Sequence, residues 1–443
     1  MTNDQDARTG ALEIVRRLQA RGFRALWAGG CVRDMLMGQV PRDYDIATNA
    51  DLQQVIGIFP HAQVVGAHFG VVIVRLGDYH YEVARFRRDL GYSDGRHPDG
   101  VVFVDEEEDA RRRDFTINGM FCDPVADVVL DYVGGQADLK KKVIRTIGDP
   151  HDRFCEDRLR MLRAIRFACR YHWPLEEKTR EAIEKLSESI AFISLERIRD
   201  EVVKILTEGG APLGVRWLID LGLMAVFMPE VVAMDGVPQP PQFHPEGDVL
   251  THTLIMLGLM QNPSVELAMG ILLHDVGKPL TYEVRDRIRF HNHTKVGREM
   301  AEEICRRLRF SSEQIKHIAA LVADHHKFMH VQEMRPSRLK RFLRTDRFED
   351  HLELHRIDCL SSHGALDNYA FCKAALETLE PEQIRPVPLI NGRDLIAMGH
   401  KPGPAFKQVL RAVEDAQLEG RVTRRDEALR LAAQVFERID GAG

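Results

Sequence analysis

The sequence predicts an α+β head, built on a small mixed β-sheet with helices, followed by an all-helical remainder. Three features predict it. Short apolar runs bounded by turn residues, 25–28, 44–47 and 71–76, fall near the start of the chain, where they alternate with helical spacing. From residue 154 onward the apolar spacing is helical almost throughout. Residues 236–245, GVPQPPQFHP, break every regular structure, because proline lacks an N–H donor and fixes φ, and they mark the expected linker between two helical regions.

A chain of 443 residues is long enough for about three domains at ~150 residues each. With 44% hydrophobic and 29% charged residues, its composition is that of an ordinary soluble protein. No apolar run approaches the ~18 residues that span a bilayer, and the start MTNDQDARTG is polar with no signal-peptide pattern. The expected location is therefore the cytoplasm, with no membrane partner. Seven cysteines are scattered without a CxxC pair, which fits a reducing compartment and predicts neither a disulfide nor a zinc ribbon. The net charge of −6 excludes a generally basic coat, so any nucleic-acid contact must come from a local patch.

Taken in order, residues 7–20 place Leu12, Ile14, Val15 and Leu18 at helical spacing and lead into the first strand. That strand, 25–28, enters the Gly29-Gly30 turn, and 32–38 reads as a short helix leaving it. Such a turn aims backbone N–H groups at a phosphate, the helix start adds its positive dipole end, and Arg33 adds a forked cation. On the next strand Asp43 and Asp45 stand two residues apart, so period-2 geometry puts both carboxylates on one face. Two like charges facing one way repel unless a cation lies between them, which points to Mg²⁺ beside a triphosphate. A glycine turn followed by a solvated acidic edge is the bland alternative.

Gly29-Gly30-x-Val32-Arg33-Asp34 followed by Asp43-x-Asp45 resembles the active-site signature of the nucleotidyltransferase superfamily, and specifically of class II tRNA nucleotidyltransferases and bacterial poly(A) polymerases. The resemblance implies a nucleotidyltransferase head over 1–140, with Asp43 and Asp45 as catalytic Mg²⁺ ligands and Gly29, Gly30, Arg33 and Asp34 around the nucleotide. A helix is expected over 51–59 and strands at 64–65 and 71–76. In HYEVARFR, 80–87, Glu82 shares a strand face with Ala84; the family places a third catalytic carboxylate here, and an exposed strand residue fits equally well. Residues 87–109, rich in Gly, Asp and Arg, read as a mobile loop over the site, which the family uses in switching to ATP. Arg112-Arg113-Asp114-Phe-Thr-Ile-Asn118 matches the family's second motif, with Arg113 to fork onto a triphosphate and Asp114 and Asn118 to meet ribose hydroxyls. Asp114 as the N-cap of a helix is compatible with the same residues. Asp131-Tyr-Val-Gly134-Gly135 resembles the motif that ends the head.

Residues 154–171 read as one helix, with Asp157, Arg160, Arg163 and Arg170 on a shared face and Leu159, Leu162, Ile165 and Ala168 in an apolar stripe. Glu156-Asp157-x-x-Arg160 resembles the family's protein template for the incoming base. Carboxylate acceptors and guanidinium donors one turn apart match the Watson–Crick edge of cytosine, and a small rotation matches adenine. Arg163 and Arg166 would then face triphosphate or primer. LERIRDE, 195–201, resembles the last shared motif, in a helix that supports the template helix, and the helical neck is expected over 141–235.

Beyond the proline-rich stretch, the apolar run 267–273 ends in LLHDVGK, which resembles the HD metal-dependent phosphohydrolase superfamily. His252, His274, Asp275 and Asp358 form the expected ligand set of this HD-like domain, over 246–365, and imidazole with carboxylate suits a divalent transition metal. His293, His325 and His326 read as contacts to a substrate phosphate or to a second metal. The tail, 366–443, reads as helix, Gly/Pro turn, helix. It resembles the C-terminal segment of class II tRNA nucleotidyltransferases, which would grip the tRNA elbow, with Arg393, Lys401 and Lys407 on phosphates.

The resemblance covers nearly the whole chain. It implies an enzyme that adds the 3′-terminal CCA to tRNA from CTP and ATP and releases pyrophosphate. Three rivals share parts of the signature. A poly(A) polymerase usually carries strongly basic flanks, which this acidic chain lacks. An enzyme that adds only the terminal A shares every head motif. A phosphohydrolase with an RNA-binding head has no need of paired carboxylates in that head.

Overall fold

The structure is a computed structural model of the chain and describes residues 2–66, 70–91, 100–242, 244, 245 and 247–440. They form two compact units: residues 1–232 with 307–310, and residues 233–306 with 311–443.

The first unit holds a seven-stranded mixed sheet. Its strands are β1 (Ala25–Ala28), β2 (Asp45–Thr48), β3 (Gln63–Gly66), β4 (Val71–Leu76), β5 (Tyr79–Arg85), β8 (Phe121–Asp123) and β9 (Val128–Leu130), in the order β3-β4-β5-β2-β1-β8-β9. Among the described residues of this sheet, the β2/β5 pairing alone is parallel. The first helix, α1 (Thr2–Ala20), buries the predicted Ile14, Val15 and Leu18 against Trp27, Ile46, Val72 and Val83. The short α2 (Gly30–Leu36) begins two residues before the expected 32–38, because Gly29 itself is the N-cap. The next helix, α3 (Leu52–Ile58), starts where Asp51 and Gln54 form a reciprocal capping box.

The expected loop over 87–109 is structured at both ends. β6 (Arg87–Leu90) pairs antiparallel with β7 (Gly100–Phe103), with Arg87 opposite Phe103. Its centre, 92–99, lies outside the described residues. Asp105 caps α4 (Glu106–Arg112), and Asp114 is not an N-cap: the 3₁₀ turn Thr116–Asn118 starts after Phe115 with no side-chain cap. Asp131 accepts N–H groups from Val133, Gly135 and Gln136, which sets the turn into α5 (Gly135–Lys141).

The single helix expected over 154–171 is two. α6 (Pro150–Glu156) stops at Asp157, whose φ of −139° and ψ of 103° are extended, and α7 (Leu159–Tyr171) begins after it. Period counting missed the break because the residues on both sides are good helix formers. Downstream lie α8 (Glu177–Leu186) and α9 (Leu195–Thr207), and α7 packs on α9.

The second unit holds the helices Val249–Leu259, Val265–Leu273, His293–Arg307, Ser312–Asp324 and Phe348–Ser361, with Val265–Leu273 packed on Ser312–Asp324, and a small hairpin, Tyr282–Val284 with Ile288–Phe290. The proline-rich stretch is more than a connector. Pro238 bridges to Asp248, and the buried Gln239 accepts a 2.6 Å hydrogen bond from Lys278 Nζ. Proline breaks helices without preventing a segment from packing, so these residues join the second unit. The tail helices Gly392–Ala397, Pro404–Leu418 and Arg425–Asp440 close around Leu395, Val409, Val413, Ala432 and Phe436. No helix among the described residues is long and apolar enough to cross a membrane.

Candidate active site and candidate metal centre

The strand–turn–helix at Gly29 uses a backbone conformation that residues other than glycine rarely adopt. Its φ is 71°, and a Cβ there would stand 2.9 Å from Arg113 Nη1. One turn along α2, the buried Arg33 donates to Asn118 Oδ1 at 2.6 Å and to Asp34 Oδ1 at 2.8 Å, with its guanidinium over the Phe167 and Tyr171 rings. Arg113 places Nε and Nη2 on Asp109 Oδ2 at 3.1 and 3.0 Å. Asp114 accepts from Arg163 at 2.9 and 2.6 Å on one oxygen, and from Phe115 N and Asn118 Nδ2 on the other. Burial alone would raise the Asp114 pKa; the Arg163 charge and these hydrogen bonds outweigh it and hold it at about 2.

The expected carboxylates meet at the edge of this cluster. Asp45 opens β2 opposite Ala28, while Asp43 lies just before the strand rather than in it. The β2/β5 register pairs Ile46 with Val83, so Glu82 stands beside Asp45 one step back along the neighbouring strand. All three carboxylates are accessible to solvent. Even so, the protein crowded around Asp45, and then the charge of Glu82, push its pKa up to about 6, with Arg113 pulling the other way. A set of carboxylate oxygen donors whose mutual repulsion Arg113 offsets only in part fits a hard divalent ion.

These residues and the start of the neck line one cleft of about 700 Å³, including Gly29, Gly30, Arg33, Asp43, Asp45, Arg113, Asp114 and Asn118 from the head and Asp157, Arg160, Arg163 and Arg166 from the neck. Glu82 and Asp34 stand outside its lining. Asp157 and Arg160 flank the helix break instead of sharing a face of one helix. The Asp157 carboxylate accepts Leu159 N–H at 3.1 Å and Arg197 Nη2 at 3.2 Å, which holds it out of helical geometry. Arg160 Nη1 donates to Glu156 Oε2 at 2.8 Å and to Arg153 O at 3.1 Å. Arg163 reaches across to Asp114. Arg166 forms a buried 2.7 Å ion pair with Glu201 of α9, so its guanidinium fastens α7 to α9 as it borders the cleft. Sequence reasoning passed over Arg197, Asp109 and Arg153. Asp109 was findable: it sits three and four residues before Arg112 and Arg113, the spacing of helical ion pairs, and it binds both.

In the second unit the expected ligands converge on Asp275. His274 Nε2 lies 3.0 Å from Asp275 Oδ2, and His252 Nε2 lies 3.1 Å from Asp358 Oδ1. The imidazoles of His293 and His325 approach Asp275 from the other side, each with Nε2 at 3.7 Å from Oδ1. Burial works against charge on Asp275, but His274 and Lys278 beside it hold its carboxyl well below the usual range, while burial keeps His325 neutral. His274, His293 and His325 each place Nδ1 on a backbone carbonyl at 2.7–2.9 Å, which leaves three buried Nε2 atoms, together with Asp275 Oδ1, without a hydrogen-bond partner. Orphaned nitrogens beside carboxylates, each imidazole oriented through its other nitrogen, fit a divalent transition metal. A cavity of about 280 Å³ opens onto them, lined also by Gln239, Lys278, Arg289 and Phe290.

Three family models match the chain: the Poly A polymerase head domain over residues 25–145, the probable RNA and SrmB-binding site of polymerase A over 174–234, and the HD domain over 249–350. A CCA-adding enzyme of Lactobacillus delbrueckii subsp. bulgaricus is 43% identical over 198 residues, 44% of this chain and 50% of that protein, so the matched stretch spans about half the length of that relative. The CCA-adding enzyme of Lactobacillus helveticus is 30% identical over 423 residues, 95% of each chain. Among solved structures, the Bacillus stearothermophilus CCA-adding enzyme in complex with CTP superposes with a TM-score of 0.73 at 26% identity, over 100% of this chain and 99% of that one. The Thermotoga maritima CCA-adding enzyme complexed with tRNA shares the fold, with a TM-score of 0.59 at 20% identity, over 97% and 95%. Matched along nearly its whole length, the chain belongs to the family of CCA-adding enzymes.

Proposed function

We propose that this chain is a template-independent nucleotidyltransferase that restores the 3′-terminal CCA of tRNA from CTP and ATP, releasing pyrophosphate. One observation carries the reading: paired carboxylates, a phosphate turn and the Asp157–Arg160 segment line a single cleft. Asp43 and Asp45, with Glu82 beside them, would hold Mg²⁺, which supplies charge neutralisation at the transferred phosphate and activation of the primer 3′-hydroxyl. Gly29, Gly30, Arg33 and Arg113 receive the triphosphate, Asp114 and Asn118 the ribose, and Asp157 and Arg160 the base edge. Asp34 steadies Arg33. Arg163 positions Asp114, and Arg166 positions α7. The tail, with exposed Arg393, Lys401 and Lys407, is the surface assigned to the tRNA elbow. In this reading the head covers 1–140, the neck 141–235, the HD-like domain 246–365 and the tail 366–443, and the protein works in the cytoplasm. The test offers tRNA ending before CCA, tRNA ending in CC, and oligo(A), each with CTP alone or ATP alone. Two C residues on the first, one A on the second and nothing on the third are expected; extension of oligo(A) would instead mark a poly(A) polymerase.

The second unit carries its own proposed chemistry. His252, His274, Asp275 and Asp358 would hold a divalent transition metal, which supplies a hydrolytic site for phosphate at RNA ends. A 2′,3′-cyclic phosphate blocks the 3′-hydroxyl that the head needs; in its opening, water forms the new P–O bond, the P–O bond to the 3′ oxygen breaks and that oxygen takes a proton, leaving a free 3′-hydroxyl beside a 2′-phosphate. Hydrolysis of such a substrate, lost in His274→Ala and in Asp275→Ala, is the expected result. Hydrolysis unchanged in both variants would overturn it.

A further inference from the structure

The guanidinium of Arg153 forks over two consecutive carbonyls of the head. Its Nη2 donates to Arg112 O at 2.5 Å and to Arg113 O at 2.9 Å, where α4 ends, and its Nη1 donates to Glu156 Oε2 at 2.5 Å. Arg160 uses the same acceptors. Its Nη1 donates to Glu156 Oε2 at 2.8 Å and to Arg153 O at 3.1 Å, and its Nη2 donates to Arg112 O at 3.3 Å. Each of these three acceptors is either an atom of Arg153 or an atom that the Arg153 guanidinium also holds. We propose that Arg153 is a positioning residue for base choice, fixing the depth and direction at which the Arg160 guanidinium meets the nucleotide base.

The helix break makes such a fixture necessary. Arg153 and Glu156 belong to α6 and Arg160 to α7, with the extended Asp157 between them. Inside one helix the backbone ladder would hold residues 156 and 160 a turn apart. Across an extended residue it does not, and side chains must set the angle between the two segments. Arg153 O serves both sides of the break, accepting Asp157 N–H at 3.4 Å as well as Arg160 Nη1. Glu156 is the loose member of the set, since its side chain is 35% exposed, against 12% for Arg153 and 8% for Arg160. A carboxylate tied to Arg160 alone is free to turn toward water and draw the guanidinium with it. Arg153, anchored on the two carbonyls, pins Oε2 inward. Carbonyls at a helix end attract a cation, and a planar fork takes two of them where an ammonium is only a point charge. Arg160 spends both Nη1 hydrogens inside the protein and keeps Nε and one hydrogen of Nη2 for the cleft that it lines. Moving the anchor changes which of these donors a base meets, and bases differ in the donors and acceptors on their edges. The Arg113 guanidinium is held separately by Asp109, so the triphosphate group keeps its own anchor when Arg153 is replaced.

The role given to Arg153 rests on Asp157 and Arg160 as the base-contacting pair, and the test separates the two. The full-length chain and its Arg153→Gln, Arg153→Lys and Arg160→Ala variants each receive CTP or UTP with tRNA ending before CCA, and ATP or GTP with tRNA ending in CC. The ratio of kcat/KM values gives the preference for C over U and for A over G. Arg153→Gln is expected to lose at least about tenfold in both preferences, while inhibition by tripolyphosphate, a probe of the triphosphate site, stays as in wild type. Arg153→Lys is expected to fall between the two, because it restores the charge without the fork. A residue that only fastened α6 to the head would slow all four nucleotides alike. Preferences within about twofold of wild type in both Arg153 variants, whatever their rates, therefore overturn the proposal, and if Arg160→Ala still blurs base choice the base-contacting pair stands. Preferences unchanged in Arg160→Ala as well overturn both. Arg153→Lys keeps a cation beside the two carbonyls, so misfolding of Arg153→Gln leaves the proposal open to refutation.

Discussion

In the head Asp43, Asp45 and the neighbouring Glu82 are open to solvent, whereas in the second unit Asp275, His252, His274, His293 and His325 are buried. Four arginines that line the cleft are each paired within the protein: Arg33 on Asp34, Arg113 on Asp109, Arg163 on Asp114 and Arg166 on Glu201. The charges of Glu82 and Asp43 act against ionisation of Asp45, and Arg113 offsets them only in part. The second unit instead tethers one nitrogen of His274, His293 and His325 to a carbonyl and leaves the other bare. Hard, wet oxygen donors suit an ion that exchanges with each nucleotide; dry, pre-aimed nitrogens suit an ion that stays.

The sharpest way to break this contrast is to remove one centre and watch the other. Asp43→Ala or Asp45→Ala should lower nucleotide transfer by at least about a thousandfold, as loss of several kcal/mol of transition-state stabilisation demands. Metal content of the second unit, measured by elemental analysis, should not change. Primer extension at the wild-type rate by either variant contradicts the assignment. Next in size is Glu201→Ala, which leaves Arg166 charged and buried without its main partner. An unfolding titration should show a loss of about 3–5 kcal/mol, the cost of breaking a buried pair from one side. A loss under about 1 kcal/mol would mean that Arg166 escapes to solvent, as an exposed pair allows.

Asp114→Asn probes the same network through pH. The folded-state pKa of Asp114 is depressed to about 2, so its stabilising effect is present above the unfolded-state value and disappears as pH falls through the folded one. Wild type should exceed the variant by about 2 kcal/mol at pH 7, and the gap should fade between about pH 4 and pH 2. A gap that does not change with pH assigns the loss to packing. Confined to base choice is the effect of Asp157→Ala or Arg160→Ala, about 1–3 kcal/mol of discrimination for each lost base contact. It should appear as misincorporation of UTP or GTP, or as a blurred order of C and A, more than as weakened triphosphate binding. Unchanged fidelity in both variants would make the Asp157 break purely structural.

Much of this was legible in the chain because the signals are local. Strand Ala25–Ala28, the glycine turn and the capped helix after Asp51 each follow from a few adjacent residues. The break at Asp157 was not legible, because it depends on Arg197, forty residues away, taking the Asp157 carboxylate. The ribbon of Arg87–Leu90 with Gly100–Phe103 was hidden because Arg87, Arg88 and Asp89 are three successive charges, which mask any strand period. Gln239 in the proline-rich stretch gave no sign that it would receive Lys278, since that bond joins segments whose meeting only the fold decides. The histidines were visible as a set; which nitrogen each presents was not, because carbonyls of other residues choose it.

The most direct test of the account is the sequence of the 3′ ends that the full-length protein makes on a tRNA lacking CCA when CTP and ATP are both in excess. The account predicts that extension stops after C, C and A, with nothing added by Asp45→Ala. A ladder of further A residues, or a single A and no C, would contradict it.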